Sequence, residues 1–151
     1  MKADFLIVGA GMAGASIAYW LAPRGRVVVL ERESQPGYHA TGRSAAIYHG
    51  SYGNAQVRAL TQASRAFLQQ PPDGFTPQAL LAPRGVMMVA TAGQQARLAE
   101  HQRMLQDMGA AARWLDGRGA RERVSVLRED VIVAAIHEDD AHDIDVHALH
   151  Q

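Results

Sequence analysis

The stretch Phe5-Leu6-Ile7-Val8-Gly9-Ala10-Gly11-Met12-Ala13-Gly14 makes the most definite structural demand in the chain. A short apolar run ends in three glycines at GxGxxG spacing and leads into a helix-forming segment that reaches Leu21. This order predicts a strand, a tight turn and a helix. In such a unit Gly9 makes the turn, Gly11 lets a pyrophosphate approach the backbone, and Gly14 lets the helix pack closely on the strand.

A second apolar run supports a nucleotide site. Residues 26–30 read as a β-branched strand, and Glu31 follows it immediately. A carboxylate about 20 residues after the glycines is where dinucleotide-binding folds hold the ribose hydroxyls. Phosphates would meet free N–H groups at the N-terminus of the first helix. The sequence therefore predicts an α/β, Rossmann-like dinucleotide-binding fold.

Composition excludes several other classes of protein. The chain has 151 residues, with 15 basic and 15 acidic side chains and no cysteine. This charge balance gives no field that would recruit nucleic acid, and a cysteine-free chain suits a reducing compartment. The uncharged run of residues 5–22 is interrupted by glycines and preceded by Asp4, which argues against a signal peptide or a membrane span. We expect a cytoplasmic protein with no nucleic-acid partner and no transmembrane segment.

The segment after Glu31 has two open interpretations. Residues 33–51 read as a loop that contains Ala40-Thr41-Gly42-Arg43-Ser44-Ala45-Ala46-Ile47. Its small residues suit a second loop-to-helix transition beside a flat ligand. Alternatively, Thr41 or Ser44 caps a turn and Arg43 lies in solvent.

The remaining sequence predicts alternating helices and strands. Asn54 is placed to cap a helix that runs to about Gln70, and Asp145 to cap a final short helix. Two strands joined by residues 83–85 predict an antiparallel hairpin. The other predicted elements are a helix at 93–108, a short strand at 113–115, a turn or helix at 121–123 and an apolar run at 131–136. The side chains expected to face the core are Val57, Leu60, Phe67, Leu68, Leu98, Leu105 and Met108.

The order of these elements distinguishes two cofactors. A simple NAD-binding domain continues with a third parallel strand soon after the ribose carboxylate. Here a long loop, a helix and a proline-rich break at residues 71–77 intervene, which favours FAD. An NAD-dependent dehydrogenase and a non-catalytic, truncated nucleotide-binding fragment remain as alternatives.

Four stretches together resemble a known family: residues 9–14, Glu31-Arg32, residues 37–46 and residues 57–61. They are similar to the FAD-dependent amino-acid oxidoreductases of the D-amino-acid oxidase superfamily, most closely to the D-arginine dehydrogenase type of D-amino-acid dehydrogenase. The resemblance implies a glutathione-reductase-like FAD-binding domain, incomplete here, with part of an inserted α+β substrate domain. Residues 1–50 would begin the FAD domain, 51–125 would belong partly to the substrate domain, and 126–151 would add a strand and the beginning of a helix.

The resemblance also implies the site. Gly9, Gly11, Ala13 and Gly14 would hold the pyrophosphate, Glu31 the ribose and Arg32 the adenosine side. The segment beside the flavin end would comprise Ala40, Thr41, Gly42, Arg43, Ser44, Ala45, Ala46 and Ile47. A small-molecule substrate, an amino acid, would lose a hydride equivalent from its α-carbon to flavin N5, and water would convert the imino acid to a 2-oxo acid and ammonia. The final electron acceptor is oxygen or another molecule.

Substrate-side residues depart from the family pattern. Tyr52 matches a tyrosine of a mobile loop over the substrate, or it packs under that loop. Ile47 stands where the D-arginine enzyme has a histidine, with His49 as a possible substitute, and Val86 stands where it has a glutamate. An apolar side chain cannot pair with a guanidinium, so we expect a neutral or apolar amino acid. The main catalytic residues would lie beyond residue 151, and we expect residues 1–151 alone to fold poorly and have no turnover.

An acidic and histidine-rich stretch near the C-terminus raises the question of a metal. His137, Glu138, Asp139, Asp140, His142 and Asp143 cluster in sequence, and His147 and His150 share a helical face. No evident scaffold fixes a ligand pair among them, so we predict a solvated loop and no metal site.

Overall fold

A computed structural model describes residues 2–151. The chain forms two compact units, each built from separate segments. The first comprises the residues up to 47, 71–80 and 144–151, and the second comprises 48–70 and 81–143. The domain boundaries at residues 50 and 125 stay a prediction about the domains of the whole protein.

The helices and strands between residues 2 and 151 are short. None of these helices combines the length and the apolar composition needed to cross a bilayer. In chain order the elements are β1 (Phe5–Val8), α1 (Met12–Leu21), β2 (Val27–Leu30), β3 (Ile47–His49), α2 (Ala55–Gln69), β4 (Leu81–Pro83), β5 (Val86–Ala90), α3 (Gln95–Asp107), β6 (Ala112–Asp116), α4 (Gly117–Arg123), β7 (Ala134–Glu138), β8 (Ala141–Ile144) and α5 (Val146–His150).

The first unit confirms the predicted strand, turn and helix. β1 and β2 pair in parallel, with Phe5 opposite Val27 and Val8 opposite Leu30. α1 crosses between them, and a 3-10 turn over Ala22–Arg24 ends it. The α/β fold class predicted from the glycine pattern is therefore present.

The second unit is organised around β7. β5 and β6 pair antiparallel with its two sides, which gives the order β5-β7-β6. α3 covers this sheet, and Leu98, Leu105 and Ile136 form the core with small alanines between them. Leu105 and Ile136 are almost completely buried, and full burial of such a side chain contributes about 1.5–3 kcal/mol. The helices capped by Asn54 and Asp145 and the strand around Trp114 are confirmed.

The predicted hairpin between residues 79–82 and 86–91 is wrong. β4 belongs to a sheet of order β3-β8-β4, whereas β5 pairs with β7 in the other sheet. Between them, the backbone N–H groups of Arg84 and Gly85 both donate to the Ala141 carbonyl oxygen, and Gly85 adopts a positive φ of 75°. The chain thus turns from one sheet to the other, because the strands that β4 and β5 pair with lie more than 40 residues further along the chain.

Three other expectations are corrected. Residues 40–43 form turns and Ile47 begins β3, so the segment does not lead into a helix. Val57 and Leu60 on α2 are 42% and 71% exposed, although the pattern predicted them for the core. Met108 follows the end of α3 and is also exposed. An amphipathic period identifies a helix face, but burial needs a neighbouring element to cover it.

Candidate cofactor cradle and substrate-side cluster

The glycine turn has the geometry that its spacing predicted. Gly9 adopts a φ of 95°, a conformation that residues with a Cβ rarely take. A Cβ added at Gly14 would lie 1.9 Å from the Gly9 carbonyl oxygen. α1 can therefore pack on β1 only because residue 14 has no side chain.

The N-terminus of α1 presents backbone donors beside this turn. The Ala15 N–H donates to the Gly11 carbonyl oxygen, so the N–H groups of residues 12–14 precede the first intrahelical bond. Met12 N–H donates to Thr41 Oγ1 at 2.9 Å. The N–H groups of Ala13 and Gly14 are thus the ones that the helix offers to a phosphate. Thr41 acts as a cap, but for α1 and not for a local turn.

Glu31 is tied to the same turn from the other side. Its Oε2 accepts from Ala10 N–H at 2.7 Å, and its Oε1 accepts from the N–H groups of Arg32 and Glu33. The N–H group of Glu33, followed by that of Ala10, holds the pKa of this carboxyl below its usual range. Arg32 itself forms an exposed ion pair with Glu33. The predicted ribose carboxylate therefore stays charged and fixed next to the glycines.

A cavity of about 600 Å³ lies within the first unit, beside the N-terminus of α1. Gly42 and Arg43 are not among its lining residues; the Arg43 guanidinium lies over the Tyr38 ring at 5.4 Å. The cavity is lined by Gly11, Met12, Ala13, Ala40, Thr41, Ser44, Ala45, Ala46, Ile47, Ile144, Val146 and Leu149.

The C-terminal segment contributes to this cavity, which the sequence reasoning missed. Val146 and Leu149 belong to α5, and His150 Nε2 donates to the Ala10 carbonyl oxygen at 2.7 Å. The predicted Asp145 cap was the available signal, because Asp145 Oδ1 accepts from Ala148 N–H and fixes the direction of this helix. The hydrogen bond between His150 and Ala10 could not be predicted from the local sequence, because the two residues are 140 positions apart.

These observations fit FAD on physical grounds. Small and apolar residues leave room for a flat ring system, and a Cβ at Gly11 would approach Thr41 Oγ1 to 3.2 Å. Donors at a helix N-terminus suit a pyrophosphate. Ala46 has a φ of 53°, an uncommon conformation for a residue with a side chain, and such positions concentrate at binding sites.

A second group of candidate functional side chains lies in the second unit. His49 Nε2 is 3.1 Å from Glu138 Oε1 and 2.9 Å from Ser51 Oγ, and Ser51 Oγ donates to Glu138 Oε2 at 2.7 Å. The side chains of His49 and Glu138 are only 13% and 8% exposed. These three residues, called the His49 cluster below, form a closed hydrogen-bonded ring of one imidazole, one hydroxyl and one carboxylate.

The other substrate-side candidates surround the His49 cluster. The Tyr52 ring stacks on His49 with its centroid 6.1 Å away, and Tyr52 is exposed and not packed under its loop. Val86 stands directly opposite Glu138 across β5 and β7, so the two side chains leave the same face of the sheet. A cavity of about 370 Å³ in this unit is lined by His49, Ser51 and Glu138 together with Arg58 and Arg65.

The acidic stretch is not the solvated loop that the sequence predicted, because His137 and Glu138 end β7 and His142 and Asp143 lie in β8. Asp139 pairs with Arg113, Asp140 with Arg65 and Asp143 with Arg84. Within residues 2–151, no group of three or more histidine and carboxylate side chains is arranged to hold a metal ion. His150, which shares a face with His147, is used to bind the glycine turn.

The cradle of turn, helix N-terminus and fixed carboxylate defines a dinucleotide-binding fold. The chain belongs to the DAO family of FAD dependent oxidoreductases, whose model matches residues 4–151. A curated relative, L-2-hydroxyglutarate dehydrogenase of Escherichia coli strain K12, is 32% identical over 134 residues, which are 80% of this chain and 30% of the relative. The chain thus spans less than a third of that relative.

Solved structures share the fold. Glycine oxidase from Geobacillus kaustophilus superposes with a TM-score of 0.83 at 24% identity, over 98% of this chain and 42% of that chain. L-alpha-glycerophosphate oxidase from Mycoplasma pneumoniae, solved with FAD bound, superposes with a TM-score of 0.77 at 17% identity, over 99% of this chain and 41% of that chain. Members of the family bind FAD, which the cradle fits.

Proposed function

We propose that the protein containing these residues oxidises a small neutral amino acid, in the D-configuration, to the imino acid, which water converts to a 2-oxo acid and ammonia. The observation that carries the proposal is the cradle at the N-terminus of α1, formed by residues 9–14, Glu31 and Thr41. Family membership favours FAD over the NAD-dependent alternative. The resemblance of the 37–46 loop to D-amino-acid dehydrogenases supports the D-configuration.

The proposed cofactor contacts follow from the cradle. The N–H groups of Ala13 and Gly14 would bind the pyrophosphate, and Glu31 would accept hydrogen bonds from the ribose. The segment from Ala40 to Ile47 would lie along the flavin end. FAD, when bound, supplies the acceptor for two electrons and the α-hydrogen.

His49 is the residue of this chain proposed to move a proton. It follows Ile47 by two positions in β3, and residues i and i+2 of a strand point to the same face. An imidazole is the side chain best suited to accept a proton near neutral pH. The substrate nitrogen would lose its proton to His49 as the α-C–H bond breaks, which leaves a C=N bond.

Two observations support a neutral substrate side chain. Val86 offers no charge to a cation, and the carboxylate opposite it is already engaged, since both Glu138 oxygens accept hydrogen bonds within the His49 cluster. A guanidinium brought there without a free carboxylate would be buried unpaired, which is costly.

The test is a substrate panel on the purified full-length flavoprotein. D- and L-forms of alanine, methionine and arginine are mixed with the enzyme anaerobically, and bleaching of the flavin absorbance is recorded together with released ammonia. We expect fast bleaching and stoichiometric ammonia with D-alanine or D-methionine. Failure of every amino acid to bleach the flavin would overturn the proposal.

A second candidate reaction is oxidation of a 2-hydroxy acid. The relative named above is a dehydrogenase of L-2-hydroxyglutarate, and a hydroxyl proton could be accepted by His49 in the same way. In that case the C–O bond becomes C=O and no ammonia forms. The panel therefore includes 2-hydroxyglutarate and lactate, and bleaching without ammonia would favour this reaction.

A further inference from the structure

The protons of the His49 cluster can be assigned from its geometry. Ser51 has one hydroxyl proton, and it is donated to Glu138 Oε2 at 2.7 Å. Ser51 Oγ must therefore act as the acceptor towards His49 Nε2, 2.9 Å away, and the second carboxylate oxygen, 3.1 Å from Nε2, is also an acceptor. Both groups around Nε2 accept, so Nε2 carries the proton. In the neutral ring, Nδ1 is then left with its lone pair.

We propose that Glu138 and Ser51 are positioning residues that fix His49 in its Nε2–H tautomer, so that Nδ1 is the atom that accepts the substrate's proton. This inference rests on the proposed function and adds to it the atom that acts and the residues that orient it. The transferred proton goes from the substrate nitrogen or oxygen to Nδ1, and the ring becomes an imidazolium stabilised by the Glu138 carboxylate at Nε2.

The same geometry rules out a nucleophilic serine. In a Ser-His-acid triad the hydroxyl and the carboxylate bind opposite nitrogens of the imidazole, so that the ring can take the serine proton. Here both partners meet Nε2, and the serine gives its proton to the carboxylate. Ser51 therefore serves to orient the ring and the carboxylate.

Burial and location suit Glu138 to this role. A buried carboxylate is tolerated where donors satisfy its oxygens, and Ser51 and His49 supply one donor to each. Glu138 also lies on β7, where its backbone neighbours are Val86 on one side and Ala112 on the other. Because Glu138 lies on the central strand of the sheet, its carboxylate is held rigidly. It can therefore fix the orientation of the His49 ring, which a histidine that transfers protons requires.

The primary experiment measures the tautomer directly. Full-length protein labelled with ¹⁵N in histidine is examined by NMR above pH 8, where neutral rings dominate, and the His49 signals are assigned by their loss in His49→Gln. We expect the Nε2–H pattern in the wild type. In Glu138→Gln the amide group can donate to Nε2, so we expect the Nδ1–H pattern to appear. An Nδ1–H pattern in the wild type, or no change in Glu138→Gln, would overturn the inference.

Kinetics provide the second readout. His49→Gln should lower kcat by on the order of 10²–10⁴-fold. Glu138→Gln should lower kcat by about 10–100-fold with little change in KM. Because Glu138 acts through His49, Glu138→Gln should add nothing once His49 is Gln, whereas a merely structural carboxylate would give additive losses and contradict the inference.

Two further variants keep the test decisive. Asp139→Asn is the matched control, because Asp139 adjoins Glu138 in sequence but pairs with Arg113 at the surface; it should leave the tautomer and kcat unchanged. If Glu138→Gln does not fold, Ser51→Ala replaces it; the Glu138 carboxylate still accepts at Nε2, so the Nε2–H pattern should persist, and an Nδ1–H pattern in this variant would overturn the inference. The NMR measurement does not require turnover. A failed substrate panel would therefore refute the proposed function, whereas the tautomer assignment is tested by the NMR spectra alone.

Discussion

Glu31 lies at the surface, yet its carboxylate accepts hydrogen bonds from three backbone N–H groups. One of these belongs to Ala10, within the glycine turn. We expect Glu31→Gln to weaken FAD binding on the order of tenfold, because the amide keeps one acceptor and loses the charge. Titration of full-length apoprotein with FAD, followed by flavin fluorescence, measures this Kd. Glu122→Gln, an exposed carboxylate of α4 paired with Arg118, is the matched control.

The contribution of Glu31 to stability should depend on pH with a definite sign. The pKa of Glu31 is lowered in the folded protein, chiefly by the N–H group of Glu33 and then by that of Ala10. Its contribution is therefore fully present above the ordinary carboxyl pKa and is lost as the pH falls through the lowered folded value. The difference in Tm between wild type and Glu31→Gln should be largest near pH 7 and shrink towards pH 3. A difference that grows in acid would contradict this assignment.

At the scale of the element, α1 packs on β1 through Gly14. We expect Gly14→Ala to force the two elements apart, because its Cβ would lie 1.9 Å from the Gly9 carbonyl oxygen. Overpacking of this kind costs about 1–3 kcal/mol, which lowers Tm by a few degrees in a protein of several hundred residues. Differential scanning calorimetry and the retained flavin absorbance both report it. Gly93→Ala, with open space around its Cβ position, should change neither.

Thr41 couples the 40–47 segment to the N-terminus of α1. Thr41→Val removes the oxygen that accepts Met12 N–H while keeping the side-chain shape. Loss of a helix cap costs about 1 kcal/mol, so we expect FAD to bind about fivefold more weakly. Thr76→Val removes an exposed Thr–Gln78 hydrogen bond in the same unit and serves as the control. Equal affinities of wild type and Thr41→Val would show that the cap does not shape the cofactor site.

The elements also show which features a sequence can predict. The Gly9 turn, the Asn54 and Asp145 caps and the α1 packing were predictable because their causes lie within a few residues. The separation of β4 from β5 was not, since each strand pairs with a partner far along the chain. The contact between His49 Nε2 and Glu138 was not predictable for the same reason, because the two residues are 89 positions apart.

At the scale of the molecule, large apolar side chains of the first unit lie in solvent. Leu6, Val8 and Trp20 are 62%, 83% and 60% exposed, and within residues 2–151 β1 and β2 form a sheet of two strands. Such a sheet is marginal without further covering elements. We expect residues 1–151 expressed alone to lose FAD on desalting and to melt without a sharp transition in circular dichroism.

The comparison for this prediction is the chain extended through its whole reading frame, treated identically. It should keep the flavin absorbance after desalting and melt cooperatively. Retention of flavin by residues 1–151 alone would contradict this prediction. It would show that these residues bind FAD without further elements covering their exposed apolar surface.

The hydrogen bond between His150 and Ala10 has a consequence for synthesis on the ribosome. The glycine turn leaves the exit tunnel early, but the imidazole that binds its carbonyl is translated 140 residues later. At about 5–20 residues per second, this interval lasts roughly 7–28 s. During that time the nascent nucleotide site lacks one wall, whereas all segments of the second unit are already translated once residue 143 has been added. Translation order thus places closure of the cofactor cradle by His150 after synthesis of every segment of the second unit.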